Sequence, residues 1–275
     1  MFINATKTMS KKCPKCNYLR SWLIRRNKRK CKRCRVEFSR KDYILPRFRL
    51  TERQWRSCIQ TFIRERTINS IKDNVSVGHN TAVAIANALR LCMYKDMPKR
   101  FNGICEMDET YIGGQRKNKK LHIRRIKAKK GHGTDKLPIM GIYGRTEGRI
   151  YVEVIPKLSI KRIVEIIKER VKIGSPIYTD GYKMYRCLSK HGYPHKYVDH
   201  DGGEYAREEI HTNNIEGFWG ILKRKLSCIG GMRRDKLHLF VAEIVWKFNQ
   251  KNYSKNIQEE RLIKLLKTTK FGGKK

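Results

Sequence analysis

The stretch Ile104-Cys-Glu-Met-Asp-Glu-Thr-Tyr-Ile112 alternates between apolar and polar side chains. This is the period of a β-strand that has one face in the core. Two further strand patterns follow at 137–144 and 149–156, and Thr146-Glu-Gly148 supplies the turn between them. The sequence therefore predicts a sheet that begins near residue 104 with three consecutive strands.

Helical and strand patterns alternate beyond this point. In order, the expected elements are an amphipathic helix at 159–173, a strand at 176–180, a short helix at 182–190, a strand at 195–198 and a long helical stretch from 213 to about 249 with a break at Gly230-Gly231. Three strands, helix, strand, helix, strand and helices is the order of an RNase H-like fold, in which helices flank a mixed sheet. We predict this α/β fold for residues 99–255.

Three carboxylates fall at informative places in that order. Asp108 lies within the first strand, Asp180 ends the fourth, and Glu216 lies in the first turn of the following helix. In this topology the first and fourth strands are neighbours, so the three side chains are expected to converge. Carboxylate oxygens suit Mg²⁺ or Mn²⁺, and two such ions about 4 Å apart promote displacement at a phosphodiester. The sequence thus predicts a two-metal site.

Each carboxylate also has a simpler explanation. Asp180-Gly181 is a common turn pair. Glu216 could instead complete a capping box with Asn213, since Asn at the N-cap and Glu three residues later satisfy exposed amides. Glu106 and Glu109 lie close to Asp108 in the sequence, so either could be the ligand in its place. Strand alternation puts Glu106 on the same face as Asp108, which makes it the main competitor. The three acids taken together, in this order and in a basic chain, favour catalysis.

The helix that carries Glu216 has further polar candidates. Lys223 lies two helical turns after Glu216 and so on the same face, where it could hold a phosphate of bound DNA. Trp219 lies one turn after Glu216 and is expected in the core, with stacking on an unpaired base as the alternative. His211 and Asn214 could support the metal ligands or simply begin the helix.

The N-terminal region contains two CxxC pairs that are separated by fourteen residues. Zinc takes four thiolates in a tetrahedron, and one tight CxxC turn supplies two of them. We predict that Cys13, Cys16, Cys31 and Cys34 bind a structural Zn²⁺ in a zinc ribbon that spans residues 1–46. Two redox-active dithiols are the alternative, but no βαβ pattern surrounds either pair.

The sequence pattern of residues 47–98 is typical of α-helices. Thr51-Glu-Arg-Gln54 has the composition of a helix start. The stretch 68–83 predicts helix, turn and helix, with the second helix beginning near His79. This pattern resembles a helix-turn-helix with a recognition helix, although an ordinary helical hairpin has the same pattern. Residues 256–275 are expected to form a basic tail.

The net charge of the chain indicates which kind of partner it binds. There are 64 Lys and Arg against 25 Asp and Glu, a net charge of +39, and one basic run lies at 116–130. So many positive charges repel one another, and the negative charges of a polyphosphate would neutralise them. No stretch approaches twenty apolar residues, and the N-terminus lacks the apolar segment of a secretory signal. The composition therefore predicts an intracellular protein that binds nucleic acid and no membrane.

Three phrases carry a resemblance to a known family. They are Asp108-Glu-Thr-Tyr-Ile-Gly-Gly114, Tyr178-Thr-Asp-Gly-Tyr182 and His211-Thr-Asn-Asn-Ile-Glu-Gly-Phe-Trp-Gly-Ile-Leu-Lys-Arg224. Over roughly residues 10–250, the chain resembles the DDE transposases of bacterial insertion sequences, of the ISXO2-like type, and their eukaryotic Merlin relatives. The resemblance implies a catalytic set of Asp108, Asp180, Glu216 and Lys223 that works with Mg²⁺ or Mn²⁺.

The resemblance also implies a reaction. The enzyme would recognise terminal inverted repeats, hydrolyse a phosphodiester to free a 3′-hydroxyl, and transfer that hydroxyl into target DNA, as a homodimer on paired ends. A prokaryotic cytoplasm, a nucleus or a viral factory would all suit it. Two other functions stay open: a catalytically silent, transposase-derived DNA-binding regulator, and an RNase H-like nuclease or resolvase that cuts without joining.

Overall fold

The computed structural model describes residues 13, 15–16, 18–25, 28–38, 44, 48–113, 121, 136–198, 210–229 and 233–269. It divides into two compact units, one formed by 1–96 with 252–275 and the other by 97–251. The expected break at Gly230-Gly231, the basic run at 116–130 apart from Leu121, and positions 270–275 of the expected tail lie outside the described residues.

The strands and helices are numbered in chain order. The strands are β1 (Ser21–Ile24), β2 (Lys28–Cys31), β3 (Glu37–Phe38), β4 (Cys105–Ile112), β5 (Leu137–Gly144), β6 (Arg149–Val154), β7 (Ile177–Asp180) and β8 (His195–Val198). The α-helices are α1 (Glu52–Ile63), α2 (Ile68–Val75), α3 (His79–Lys95), α4 (Ile160–Arg170), α5 (Asn213–Ser227), α6 (Leu237–Asn249) and α7 (Lys255–Thr268). Short 3₁₀ helices cover Lys183–His191 and Arg234–Lys236.

The first unit contains a small antiparallel sheet in the order β1-β2-β3. Cys13, Cys31 and Phe38 are buried in its core, and Tyr18 packs beside them. A core of this size buries too little apolar surface to be stable alone, which is the situation in which small domains use a structural metal. The sheet has the form of the predicted ribbon.

The helices of the first unit begin where the sequence predicts. Thr51 caps α1 through a capping box, in which its hydroxyl accepts from the Gln54 amide and the Gln54 side chain accepts from the Thr51 amide. Helix α2 ends at Val75, its C-cap Ser76 has left-handed backbone angles, and α3 begins at His79. The helix, turn and helix expected over 68–83 are therefore present.

The segment expected to be a basic tail contains a packed helix. Helix α7 contacts α1 and α3, and Arg56 Nη1 lies 2.8 Å from Glu259 Oε1. Arg261 Nε lies 2.6 Å from Asp96 Oδ2 at the end of α3. The apolar side chains that α7 buries are Leu262, Ile263 and Leu266. This segment forms an amphipathic helix although it is rich in Lys, because its lysines lie on the face opposite the buried apolar residues.

The second unit is built on a five-stranded sheet in the order β6-β5-β4-β7-β8. Strands β4, β5 and β6 pair in antiparallel fashion, whereas β7 runs parallel to β4 and β8 runs parallel to β7. The sheet is therefore mixed, and β4 and β7, the first and fourth strands of this unit, are neighbours. The predicted RNase H-like fold is confirmed.

Helices cover both faces of this sheet. On one face, α4 and the 3₁₀ helix Lys183–His191 pack with Met107 of β4. On the other face, Phe218 and Trp219 of α5 pack together with α6. Asp108 follows Met107 along β4 and so lies on the α5 face. None of the helices in the described ranges is long and apolar enough to cross a membrane.

Candidate active site

The pairing of β4 with β7 puts two of the predicted carboxylates on one face of the sheet. Glu106 on β4 is the register partner of Tyr178 on the parallel strand β7, and Asp108 and Asp180 each lie two residues further on. Side chains two residues apart on a strand share a face. Asp108 and Asp180 therefore lie on the same face of neighbouring strands, and the charge of Asp180 contributes to the raised pKa of Asp108.

Asp180 also takes part in the turn that ends β7. Its Oδ1 accepts a hydrogen bond of 3.3 Å from the backbone amide of Tyr182, which is the local bond that Asp commonly makes in turns. The turn expected at Asp180-Gly181 is thus present. It fixes the carboxylate at the end of β7, so the turn role and a place in the site are compatible.

Two donors hold the carboxylate of Asp108. The indole Nε1 of Trp219 donates to Oδ2 at 2.8 Å, and the backbone amide of Glu109 donates to Oδ1 at 2.7 Å. Gly141, the register partner of Asp108 on β5, makes room for the indole, because a Cβ atom there would lie 2.7 Å from Cη2 of Trp219. Trp219 is buried as predicted, but its bond to Asp108 was not predicted. A buried indole N–H needs an acceptor, and this need is the signal that points to it.

Glu216 lies in the first turn of α5 and is exposed. The N-cap of α5 is Thr212, and its side chain makes no capping bond to the helix amides. The Thr212 hydroxyl instead donates to Glu216 Oε1 at 2.6 Å. The capping box considered for Asn213 and Glu216 is therefore wrong.

Glu106 differs from Asp108 although the two share a face. Its side chain is fully buried. Oε1 accepts from Arg145 Nε and from Asn214 Nδ2, each at 2.7 Å. Oε2 accepts from the amides of Asn214 and Ile215 at 3.0 and 3.1 Å. A carboxylate can accept about four hydrogen bonds, one at each lone pair. Four donors of the protein therefore occupy the lone pairs of Glu106, whereas Asp108 has about two lone pairs left for a ligand.

Burial and like charge raise pKa values in this part of the sheet. Burial raises the pKa of Asp108 from 3.8 to about 7, and the charges of Asp180 and Glu216 add to this effect. Burial also raises the pKa of Glu109 to about 7, against the hydrogen bond that the Tyr185 hydroxyl donates to it. Glu109 is not among the predicted site residues, and its place directly after Asp108 is its one sequence signal. A cation would relieve the repulsion among these carboxylates.

The carboxylates do not form one compact ligand group in this structure. Within the described ranges, the group of three or more His, Cys, Asp or Glu ligand atoms that lie within 4.8 Å of one another is that of the four N-terminal cysteines. Repulsion between acidic groups opposes a closer approach. Asp108 and Asp180 are thus brought together by the sheet, whereas Glu216 and Lys223 are exposed on α5.

The four cysteines predicted to bind zinc lie together in the first unit. Their Sγ atoms lie within 4.8 Å of one another, with Cys13 and Cys34 at 3.3 Å and Cys16 and Cys31 at 3.6 Å. A tetrahedron with Zn–S bonds of about 2.3 Å has sulfur–sulfur edges of about 3.8 Å. In each CxxC turn a backbone amide donates to the first sulfur. The four side chains therefore fit Zn²⁺.

Known proteins resemble this chain in sequence. The ISXO2-like transposase domain family matches residues 100–249. An uncharacterized protein in transposable element ISH50 of Halobacterium salinarum is 27% identical over an alignment of 195 positions, which covers 67% of this chain and 65% of that protein. The chain thus spans slightly less than two thirds of that relative. An uncharacterized transposase-like protein of Haemophilus influenzae is 28% identical over 109 residues, or 40% of this chain and 88% of that protein.

Solved structures give weaker likenesses. The HTLV-2 integrase catalytic core domain in complex with magnesium is 13% identical and covers 55% of this chain and 85% of its own, with a TM-score of 0.30. A simian T-cell lymphotropic virus intasome in complex with PP2A regulatory subunit B56 gamma is 12% identical and covers 68% and 66%, with a TM-score of 0.33. Scores of this size carry no weight for the site. The family match, in contrast, covers more than half of the chain and includes Asp108, Asp180 and Glu216. The chain belongs to the ISXO2-like DDE transposase family.

Proposed function

We propose that this chain is a DNA transposase in which Asp108, Asp180 and Glu216 bind divalent cations and promote DNA cleavage and strand transfer. The observation that supports this most strongly is the pairing of the parallel strands β4 and β7, which carry Asp108 and Asp180 on one face of the sheet. Helix α5 packs on the same face of β4 and carries Glu216 in its first turn. Membership of the transposase family supports the same function.

The chain's own residues would present oxygen ligands in fixed positions. The three carboxylates are donors of the kind that Mg²⁺ or Mn²⁺ binds. Two such ions, when bound, would activate the attacking oxygen and stabilise the leaving one. Trp219 holds Asp108 through its 2.8 Å bond, and the Thr212 hydroxyl holds Glu216 at 2.6 Å. These bonds limit the rotation of two ligands before DNA arrives.

The reaction consists of two displacements at phosphorus. In the first, water adds to a phosphodiester and the bond to the 3′ oxygen breaks, which leaves a free 3′-hydroxyl. In the second, this hydroxyl attacks a target phosphodiester, forms a new bond to phosphorus and releases the 3′ oxygen of the target strand. Both steps use the same groups in the same geometry, so no covalent bond between protein and DNA is needed.

Basic and polar side chains would hold the DNA. Lys223 is exposed on α5, two turns after Glu216, where it would contact a phosphate near the site. In the first unit, His79, Asn80 and Thr81 are exposed in the first turn of α3, which has no acidic residue. A helix N-terminus with these properties suits phosphate and groove contacts. We therefore assign end recognition to the helix-turn-helix and assembly on paired ends to a homodimer.

Incubation of the full chain with Mg²⁺ and DNA that carries the element's ends tests this proposal. We expect strand cleavage followed by joined products. Asp180→Ala should abolish both without weakening DNA binding, because a carboxylate contributes nothing favourable to phosphate contact. Asp235→Ala, which removes an exposed carboxylate paired with Arg233, is the matched control and should cleave like the wild type. Cleavage by Asp180→Ala would contradict the proposal.

The same assay separates the two alternative functions. A nuclease or resolvase would give cleaved DNA without joined products. A regulator would bind the ends without cutting them at any concentration of Mg²⁺ or Mn²⁺.

A further inference from the structure

Three residues, each two positions before one of the proposed ligands, meet around one arginine. Glu106 precedes Asp108, Tyr178 precedes Asp180, and Asn214 precedes Glu216. The arginine is Arg145, which directly follows β5. Its Nε donates to Glu106 at 2.7 Å, and its guanidinium carbon lies 5.1 Å from the centroid of the Tyr178 ring. Asn214 joins the group through Glu106, to which its Nδ2 donates at 2.7 Å.

Arg145 also holds the segment that enters α5. Its Nη2 donates to the carbonyl oxygen of His211 at 2.9 Å and lies 2.9 Å from Nδ1 of the same residue. A planar guanidinium can make these contacts and the bond to Glu106 at once because its N–H groups are fixed in a fork. One side chain therefore connects β4, β7 and the start of α5.

Glu106 replaces the missing local cap of α5. The first amides of a helix have no partner within the helix, and the N-cap Thr212 supplies none. The amides of Asn214 and Ile215 donate to Glu106 Oε2 instead, and a negative charge at a helix N-terminus is favourable. The helix that carries Glu216 is thereby attached to the strand that carries Asp108.

We infer that Glu106 and Arg145 are positioning residues of the active site, which hold Asp108, Asp180 and Glu216 at the spacing that cation binding requires. This inference rests on the proposed function of those three carboxylates. Mg²⁺ accepts little deviation from octahedral geometry, so its ligands must be placed on a rigid support. The pair is suited to this purpose because its contacts reach all three elements within two residues of each ligand.

A purely stabilising role is the competing explanation for this ion pair, in which Glu106 is fully buried and Arg145 is partly buried. Buried ion pairs are weak contributors to stability when compared with apolar pairs of the same size. The two explanations differ in one measurable quantity, which is the Mg²⁺ concentration that gives half-maximal cleavage. A stabilising pair affects the fraction of folded protein, whereas a positioning pair affects how well the folded protein binds the cation.

Two variants of the full chain test the inference. Arg145→Lys keeps a positive charge beside Glu106, but a single ammonium cannot reach Glu106, the His211 carbonyl and the Tyr178 ring together. Asn214→Ala removes one donor to Glu106 from an exposed residue, so we expect this variant to fold. Asn213→Ala changes the neighbouring exposed Asn and is the matched control.

Each variant is titrated with Mg²⁺ on DNA that carries the element's ends, and its thermal unfolding and DNA affinity are measured alongside. We expect both variants to need about tenfold more Mg²⁺ for half-maximal cleavage, since groups that orient metal ligands typically change metal affinity or activity 10- to 100-fold. DNA affinity should match that of Asn213→Ala. If Arg145→Lys does not fold, Asn214→Ala decides the result.

The outcomes separate this inference from the proposed function. If Asp180→Ala is inactive while Asn214→Ala and folded Arg145→Lys need no more Mg²⁺ than Asn213→Ala, the positioning role is overturned and the proposed function stands. If Asp180→Ala still cleaves, the proposed function fails, and the positioning role fails with it.

Discussion

Replacing Gly141 by Ala should disturb the site without changing any carboxylate. A Cβ atom at this position would lie 2.7 Å from Cη2 and 2.8 Å from Cζ2 of Trp219, and 2.9 Å from Cδ1 of Ile215. Both side chains belong to α5 and are buried against the sheet. The helix must therefore shift away from β5, and the bond from Trp219 to Asp108 must lengthen or break.

The magnitude follows from these contacts. Overpacking of a core costs about 1–3 kcal/mol, and loss of a hydrogen bond to a carboxylate costs about 1.5–3 kcal/mol. The lower backbone entropy of unfolded Ala returns roughly 0.5–1 kcal/mol. We expect Gly141→Ala to lower the free energy of unfolding by about 2–4 kcal/mol, allowing for some relaxation of α5. Cleavage should slow by about tenfold or more, because Asp108 loses a fixed position.

Urea unfolding followed by circular dichroism measures the first effect. Gly220→Ala is the control. Gly220 lies in α5, the helix that carries Trp219, and a Cβ atom there would meet no other part of the protein within 4 Å. This change should be neutral or stabilising. In a Trp219→Phe background the cost of Gly141→Ala should fall, because the contacting ring atoms are gone. A Gly141→Ala protein as stable as Gly220→Ala, or equal costs in both backgrounds, would refute this reasoning.

Three further predictions concern metal, pH and salt. Chelation of zinc, or Cys31→Ser, should unfold the ribbon and leave the second unit folded; hydrogen exchange measures both, and retained protection at residues 28–38 would exclude a structural zinc site. Without divalent cations, Asp108→Asn should stabilise the protein at pH 8 but not at pH 4. The raised pKa of Asp108, about 7 instead of 3.8, means that the folded state loses stability as pH rises between these values. At about 1.4 kcal/mol for each pKa unit, the stabilisation has an upper limit of about 4.5 kcal/mol. Urea unfolding measures it, and an equal effect of Asp108→Asn at both pH values would contradict the prediction. Lys223→Gln should weaken DNA binding and lower the slope of log affinity against log salt by about one; an unchanged slope would exclude a phosphate contact.

The sequence predicts the pairing of Asp108 with Asp180 because both lie on strands whose order and direction follow from the pattern of elements. The order of the strands predicts that the two carboxylates converge, but it does not predict which residues of β4 and β7 are register partners. The role of Glu106 is not predictable in the same way. Its partners Arg145 and Asn214 are 39 and 108 residues away along the chain. The alternation of apolar and polar residues along a strand predicts the face on which a side chain lies, but it does not predict which group that side chain contacts.

The start of α5 illustrates a second limit. A shift of one residue, from Asn213 to Thr212, removes the local capping box and changes the role of Glu216. Helix ends are uncertain by one or two residues when they are judged from sequence. Here the acceptor for the first amides comes from β4, so the local sequence does not have to supply it. Glu106, and not Glu216, therefore caps this helix.

The most direct test of the central claim, that Asp108, Asp180 and Glu216 bind the catalytic cations, replaces Asp180 by Cys. A thiolate is a poor ligand for Mg²⁺ and a better one for the softer Mn²⁺. We predict that Asp180→Cys does not cleave DNA with Mg²⁺ and regains cleavage with Mn²⁺, while Asp180→Ala stays inactive with either ion. Cleavage by Asp180→Ala, or equal activity of Asp180→Cys with both ions, would contradict cation binding by Asp180.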